Sequence, residues 1–274
     1  MAAAAAQTIT IQAPSMGRVR ILAQRWVDLT FLHWRVDPAT VAPLLPPGTQ
    51  PDVHDGSSWV GLIPFRLLGA GFGRGPAVPW VGSFAETNVR LYSVDSTGRR
   101  GVVFRSLEAE RLLTVLGARL VFGLPYKWAR MRVVRSADVI EYTTSRRWPG
   151  PRGVGGRVVV RVGDLTAGRD PVAEFLTARW GLHTTVLGRT IYVPNEHETW
   201  PLHAATLLHL DDSLVAAAGF PALVARPPDS VLWSAGVRTT FGLPHDARRA
   251  RAGESSASCT CIPYPGTGLP SSHD

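Results

Sequence analysis

Apolar residues fall mostly in short dense runs rather than at sustained helical spacing. The run Val19–Val36, VRILAQRWVDLTFLHWRV, is dense in β-formers and accommodates two strands. Asp37-Pro38 then reads as an N-cap and first helical residue, opening a short helix to Leu45 that Pro46-Pro47-Gly48 ends. Ser58–Gly69 predicts a strand in which Pro64 marks an edge or a bulge. Gly69–Pro79, rich in glycine and proline, reads as a loop. Ser83–Val94 predicts a strand, Ser96-Thr97-Gly98 a turn and Gly101–Leu107 the returning arm of a hairpin.

The clearest helical pattern runs from Leu107 to Phe122. Ser106 is its candidate N-cap, and Glu108 and Glu110 suit the positive end of the dipole. Leu112, Leu113, Leu116 and Leu120 form an apolar stripe, Gly123 supplies the terminal turn and Pro125 prevents continuation. Strands are predicted near Trp128–Arg135, Val139–Arg147 and Arg157–Val162. Asp170-Pro171 opens a second helix to about Trp180, closed by Gly181, and further strands lie near Thr190–Pro194, Pro201–Leu210 and Val231–Phe241. Many strands and two main helices, without βαβα alternation, predict an α+β fold with a curved, largely antiparallel, barrel-like sheet. Such a sheet readily encloses a ligand cavity. Residues 1–17 read as a disordered extension, 18–244 as one domain, and 245–274, rich in Arg, Ser, Gly and Pro, as a disordered tail.

Composition narrows the picture modestly. With 274 residues and 45% hydrophobic content, the chain can build a core without disulfides or a structural metal. Its two cysteines, Cys259 and Cys261, are one residue apart, a poor geometry for a mutual bridge, and their position fits a reducing, cytoplasmic setting. The first 17 residues carry no Arg or Lys and make a poor signal peptide, and no run of apolar residues predicts a membrane helix. The net charge is +8, but the arginines are scattered and several, Arg248, Arg249 and Arg251, sit in the tail. A nucleic acid is therefore not the expected partner, and the positive balance favours a small anionic ligand.

Familiar catalytic patterns are missing: G-x-S-x-G, the phosphate-binding P-loop and H-E-x-x-H do not occur. Gly69–Gly75 lacks the helix and acidic partner of a nucleotide site, so no cofactor is expected. His203 and His209 are six residues apart, and Asp52, His54 and Asp55 cluster in a turn, but neither group implies enough further ligands for a metal. Strict alternation places Glu86, Asn88, Arg90 and Tyr92 on one strand face. That face either lines a polar pocket or is exposed with a Glu86–Arg90 surface pair. Lys127 is the only lysine among 29 Lys and Arg residues, so any imine made through a side-chain amine would have to form there.

Several phrases occur in an order that resembles a known family: Thr30–Pro38, Trp59-Val60-Gly61, Phe84–Tyr92, Leu124-Pro125-Tyr126, Phe175–Trp180 and His197…Trp200-Pro201-Leu202. They are similar to the YqjF-like domain family, an uncharacterised family of the acetoacetate decarboxylase-like superfamily, over about residues 20–243. The resemblance implies a curved antiparallel core around a cavity. Decarboxylases of that superfamily carry Gly-x-Pro-Lys-Lys, whereas this chain has Gly123-Leu124-Pro125-Tyr126-Lys127. Tyr126 stands where the imine-forming lysine would be and Lys127 where its helper would be, which argues against imine decarboxylation. Glu86 resembles the pocket carboxylate of those enzymes.

The first reading is a small-molecule-binding protein whose ligand is a small oxo- or carboxylic acid, with catalysis on that acid left open. Arg90, Tyr92 and Asn88 would bind the acid, Glu86 would transfer a proton and Tyr126 would donate to developing charge, with Lys127 beside them. The alternative is a non-catalytic binding or scaffold protein on an enzyme-derived fold. Either is compatible with an oligomer.

Overall fold

The computed structural model describes residues 5–73, 75–80, 82–166 and 170–248. The chain opens with β1 (Leu22–Val36), a four-residue helix α1 (Pro38–Val41), β2 (Thr49–Pro51), β3 (Ser58–Phe72), β4 (Phe84–Asp95) and β5 (Arg100–Ala109). Helix α2 (Leu112–Phe122) leads to β6 (Tyr126–Ser136), β7 (Val139–Trp148) and β8 (Gly155–Leu165). The remainder is α3 (Pro171–Thr177), β9 (Gly181–Val186), β10 (Arg189–His197), β11 (Leu202–Asp212), α4 (Leu214–Ala217), β12 (Ser230–Phe241) and β13 (His245–Asp246). Pairing is antiparallel except at β5–β6 and β5–β9, as an α+β fold with a largely antiparallel sheet requires.

The sheet closes on itself twice. Following hydrogen-bonded neighbours from β5 through β6, β7, β8, β11, β12, β1, β3 and β4 leads back to β5. A second closed path runs from β5 through β9 and β10 to β12, then through the same β1, β3 and β4. The strands β12, β1, β3, β4 and β5 therefore wall two spaces, one on each face. The first is filled by a core including Leu32, Trp34, Leu62, Leu91, Ile140 and Trp233, all nearly or wholly buried. The second holds a cavity, lined from all the strands of its own ring.

Shared strands serve both spaces because side chains alternate, and two irregularities reset that alternation. In β1, Leu22, Gln24 and Trp26 face the cavity, then Leu29 and Phe31 do. The parity changes at Asp28, which has φ 50°, and the β1–β3 register shifts between Val27 and Leu32. Asp28 is fixed there by ion pairs with Arg66 and Arg135. In β5, Arg105 is the extra residue opposite β4, so Val102 and Phe104 face the cavity before it and Leu107 after it. Pro64 sits where β1 and β3 part at the shift, in keeping with the expected bulge.

Several expectations need correction. Residues 19–36 hold one long strand rather than two, because the Asp28 bulge bends it without ending it. The first long helix starts at Leu112, not Leu107, because Leu107–Ala109 pair with both β4 and β6. Ser106 is a buried strand residue and no cap, and Glu108 pairs with Arg146 at 2.6 Å. The leucine stripe does not face the core: Val115 is buried, while Leu113 and Leu120 are 68% and 84% exposed. The second helix ends at Thr177, and Gly181 begins a strand instead of closing the helix. Asp170 caps that helix as predicted, accepting from the Val172 amide at 2.9 Å.

Both termini make contacts with the sheet where they are described. The Gln7 amide donates to the Gly98 carbonyl at 2.8 Å, Met16 is buried, and His245–Asp246 pair with β10. The rest of the expected tail, with Cys259 and Cys261, lies outside the described residues. Among the described residues no helix is long and apolar enough to cross a membrane.

Candidate functional site

The cavity has a volume of about 450 Å³, within the range of small-molecule sites. Its wall is mostly apolar, with Trp26, Phe31, Phe65, Phe84, Phe104 and Trp200 supplying aromatic surface. Strand β4 carries a polar line across it. Phe84, Glu86, Asn88 and Arg90 alternate on the cavity face, while Val89 and Leu91 enter the filled core behind.

Glu86 is 3% exposed. Its carboxyl accepts from the Tyr126 hydroxyl at 3.0 Å and is also hydrogen-bonded to Asn88. No cation forms an ion pair with it among the described residues. Burial pushes its pKa up to about 8, against the opposing effect of those two hydrogen bonds. It is mostly protonated at neutral pH and is equipped to donate a proton. Tyr126 is pushed well above the ordinary tyrosine range by burial and by the neighbouring carboxyl. It is placed by the exit from α2, where Gly123 takes φ 61° and a Cβ would lie 2.8 Å from the Thr185 carbonyl oxygen.

The other end of the line is cationic. Arg90 donates through Nε to the Tyr92 hydroxyl and through Nη2 to the Leu176 carbonyl, both at 3.0 Å. Among the described residues no carboxylate pairs with it. Arg179 reaches the cavity beside it, with Nη1 on Asp52 and Nε on the Phe175 carbonyl at 2.7 Å. Its Nη2 is buried and has no partner among the described residues. Asp52 is also engaged by Arg100. One carboxylate thus serves Arg179 and Arg100, and none serves Arg90. His33 lies 2.6 Å from the Tyr92 hydroxyl, and burial together with Arg90 and Arg179 depresses its pKa, so it adds no charge. His197 also lines the cavity, and burial lowers its pKa to about 4.

The structure thus brings together Glu86, Asn88, Arg90 and Tyr126, and rules out the Glu86–Arg90 surface pair. Tyr92 does not line the cavity; it is wholly buried behind Arg90 and fixes that guanidinium. Lys127 does not line it either. Successive residues of β6 point to opposite sides, so Lys127 lies with Glu108 and Arg146 while Tyr126 faces Glu86. Burial, then Arg146 and Arg119, lower the Lys127 pKa. Asp52 is an ion-pair centre, His54 stacks on Phe175, and His203 and His209 are separated by register shifts in β11. Among the described residues no cluster of His, Cys, Asp and Glu suits a metal.

Arg179, Asn195 and His197 were not predicted as site residues. Val193, Asn195 and His197 alternate on one face of β10, the same period-two signal that marked β4, but the strand had been expected to stop at Pro194. Arg179 and His197 do fall within the family phrases Phe175–Trp180 and His197–Leu202.

Comparison with known proteins agrees with this architecture. Residues 23–238 match the DUF2071 family, described as "Uncharacterized conserved protein (COG2071)". The chain is 33% identical over 185 residues to the "Uncharacterized protein YqjF" of Bacillus subtilis (strain 168), covering 68% of this chain and 76% of that protein. Among solved structures, an acetoacetate decarboxylase-like enzyme from Sphingomonas wittichii RW1 superposes with TM-score 0.56 at 16% identity, covering 83% of this chain and 92% of the other. The enduracididine biosynthesis enzyme MppR, solved with pyruvate, gives TM-score 0.55 at 16% identity, covering 85% and 92%. These likenesses show an acetoacetate decarboxylase-like fold.

Proposed function

The chain belongs to the DUF2071 family, and from that premise we propose that it binds an organic acid in the hollow ring and presents it to Glu86. The observation that carries this reading is a buried carboxyl that, among the described residues, has no cationic partner, facing the same cavity as a guanidinium with no carboxylate partner among them. Within a native fold such groups are normally matched to each other or to water. Here they face a shared cavity, where an anionic ligand complements Arg90.

Arg90 holds the acid's carboxylate, aided by the spare Arg179 Nη2. Neutral Glu86 donates a hydrogen bond to an oxo or hydroxyl oxygen of the ligand, and the Tyr126 hydroxyl donates in turn to Glu86. The apolar wall keeps water from competing for these bonds. A fold neighbour's complex with pyruvate supports an oxo acid as the ligand type. An imine route is not part of the proposal, because the sole lysine lies off the cavity. That placement also favours the second reading, binding without turnover.

Glu86→Gln and Tyr126→Phe are expected to abolish binding or turnover of organic acids while leaving the melting temperature nearly unchanged. Acid affinity undiminished in both variants would overturn the proposal. Mass-spectrometric recovery of the bound acid separates the two readings: a chemically altered acid marks an enzyme, an unaltered one a binding protein.

A further inference from the structure

Resting on the acid-binding reading, the geometry along β4 also sets the length of the ligand. Glu86 and Arg90 are four residues apart in a strand whose pairing with β3 is uninterrupted, from Phe65↔Glu86 to Gly61↔Arg90. At about 3.3 Å per residue their Cα atoms are roughly 13 Å apart. Arg90 is held near its own level of the strand, because the Tyr92 hydroxyl it meets lies 2.6 Å from His33, and His33 and Arg90 both pair with Gly61. Its Nε and Nη2 are held by the Tyr92 hydroxyl and by the Leu176 carbonyl of α3. That separation favours an acid longer than three carbons. A three-carbon acid would also fill little of the cavity: such an acid has the volume of about three waters, roughly 90 Å³, against about 450 Å³ available.

The line of side chains has a direction. Beyond Glu86, on the side away from Arg90, come Phe84 and the apolar wall of Leu67 and Phe72. Phe72 and Leu113 both line the cavity yet are 72% and 68% exposed, so they form its mouth. From the deep end outward the ligand meets two guanidiniums, then Asn88, whose Oδ1 has no partner among the described residues, then the Glu86–Tyr126 pair, then mostly apolar surface with Gln24 and Thr114 among it. That order is cationic, polar and apolar.

We propose that the ligand is a medium-length amphiphilic carboxylic acid. Its carboxylate sits on Arg90 and Arg179 Nη2, an oxygenated carbon several bonds along the chain faces Glu86, and its apolar tail reaches the mouth between Phe72 and Leu113. A short acid satisfies one end of the line and leaves the rest of the apolar wall wet.

Calorimetric titration of the full-length protein with pyruvate, octanoate, decanoate and decanol tests this. Decanoate is expected to bind at least tenfold more tightly than pyruvate. Arg90→Gln is expected to weaken decanoate binding at least tenfold while leaving decanol unaffected. Arg90→Lys, which keeps the charge but loses the fork, serves the same purpose should the Gln variant not fold. Pyruvate binding as tightly as decanoate would overturn the length assignment and leave the acid-binding reading standing. Failure of every acid to bind, or decanol matching decanoate with both Arg90 variants indifferent, would overturn both.

Discussion

Two rings share five strands, yet one is packed solid and the other is hollow. On one face of β4, Val89 and Leu91 join Leu32, Leu62 and Ile140 in one buried core. On the other, Glu86, Asn88 and Arg90 face a cavity. The backbone is the same, so the difference lies in the closing elements. The filled ring is closed by β6, β7, β8 and β11, whose inward residues, Tyr142, Val158 and Val160 among them, complete a core. The hollow ring is closed by β9 and β10, whose inward residues include Val193, Asn195 and His197, with α2 and α3 over it. A wall of mixed polarity cannot collapse on itself without stranding polar groups, so a space persists. One ring supplies stability and the other a site.

Substitutions should separate the two rings, and the largest effect is expected in the filled one. Leu62→Ala, at a position with no exposure, should cost about 2–5 kcal/mol in urea unfolding, because the surrounding strands cannot close the gap. A loss below about 1 kcal/mol would show that this ring is loosely packed.

The next effect is a pH dependence carried by Glu86. Its folded pKa of about 8 lies above the ordinary value of 4.5, so the folded state favours the protonated form. Its contribution to stability is full below about pH 4.5 and is lost as the pH rises through 8. The wild type should therefore lose on the order of a few kcal/mol across that window, and Glu86→Gln should remove this part of the slope. Asp95, at the far end of the same strand, behaves oppositely. Burial pushes its pKa up, but hydrogen bonds from His183 and Thr97 and the Arg99 guanidinium outweigh this and hold it well below the usual range. Its contribution is present above the ordinary aspartate value and fails only in strong acid. An unchanged pH–stability curve in Glu86→Gln would sink the assignment of a buried neutral carboxyl.

The smallest stability effect is expected for Tyr126→Phe. It removes one hydrogen bond, worth about 1 kcal/mol, and should move the Glu86 titration upward. Titration of Glu86 by carboxyl-selective NMR in the two proteins checks this. A downward move would mean that Tyr126 does not donate to the carboxylate.

Much of the site was legible in the chain before any coordinates. Period-two alternation put Glu86, Asn88 and Arg90 on one face of β4. Alternation is a local property of extended backbone, so it needs no knowledge of the fold. Proline, glycine and aspartate likewise marked the start of α3 and the end of α2 through local geometry. Tertiary structure decided the rest. Whether that polar face met water or a cavity depended on β9 and β10 closing a second ring. The parity changes at Asp28 and Arg105 depended on partners in β3 and β4. Leu107–Ala109 became strand because two neighbouring strands were present to hydrogen-bond with them, and the leucines of α2 were left exposed once Val115 had taken the inward position. The sequence carries what each residue can do along its own backbone; which face becomes interior is set by contacts between segments far apart in the chain.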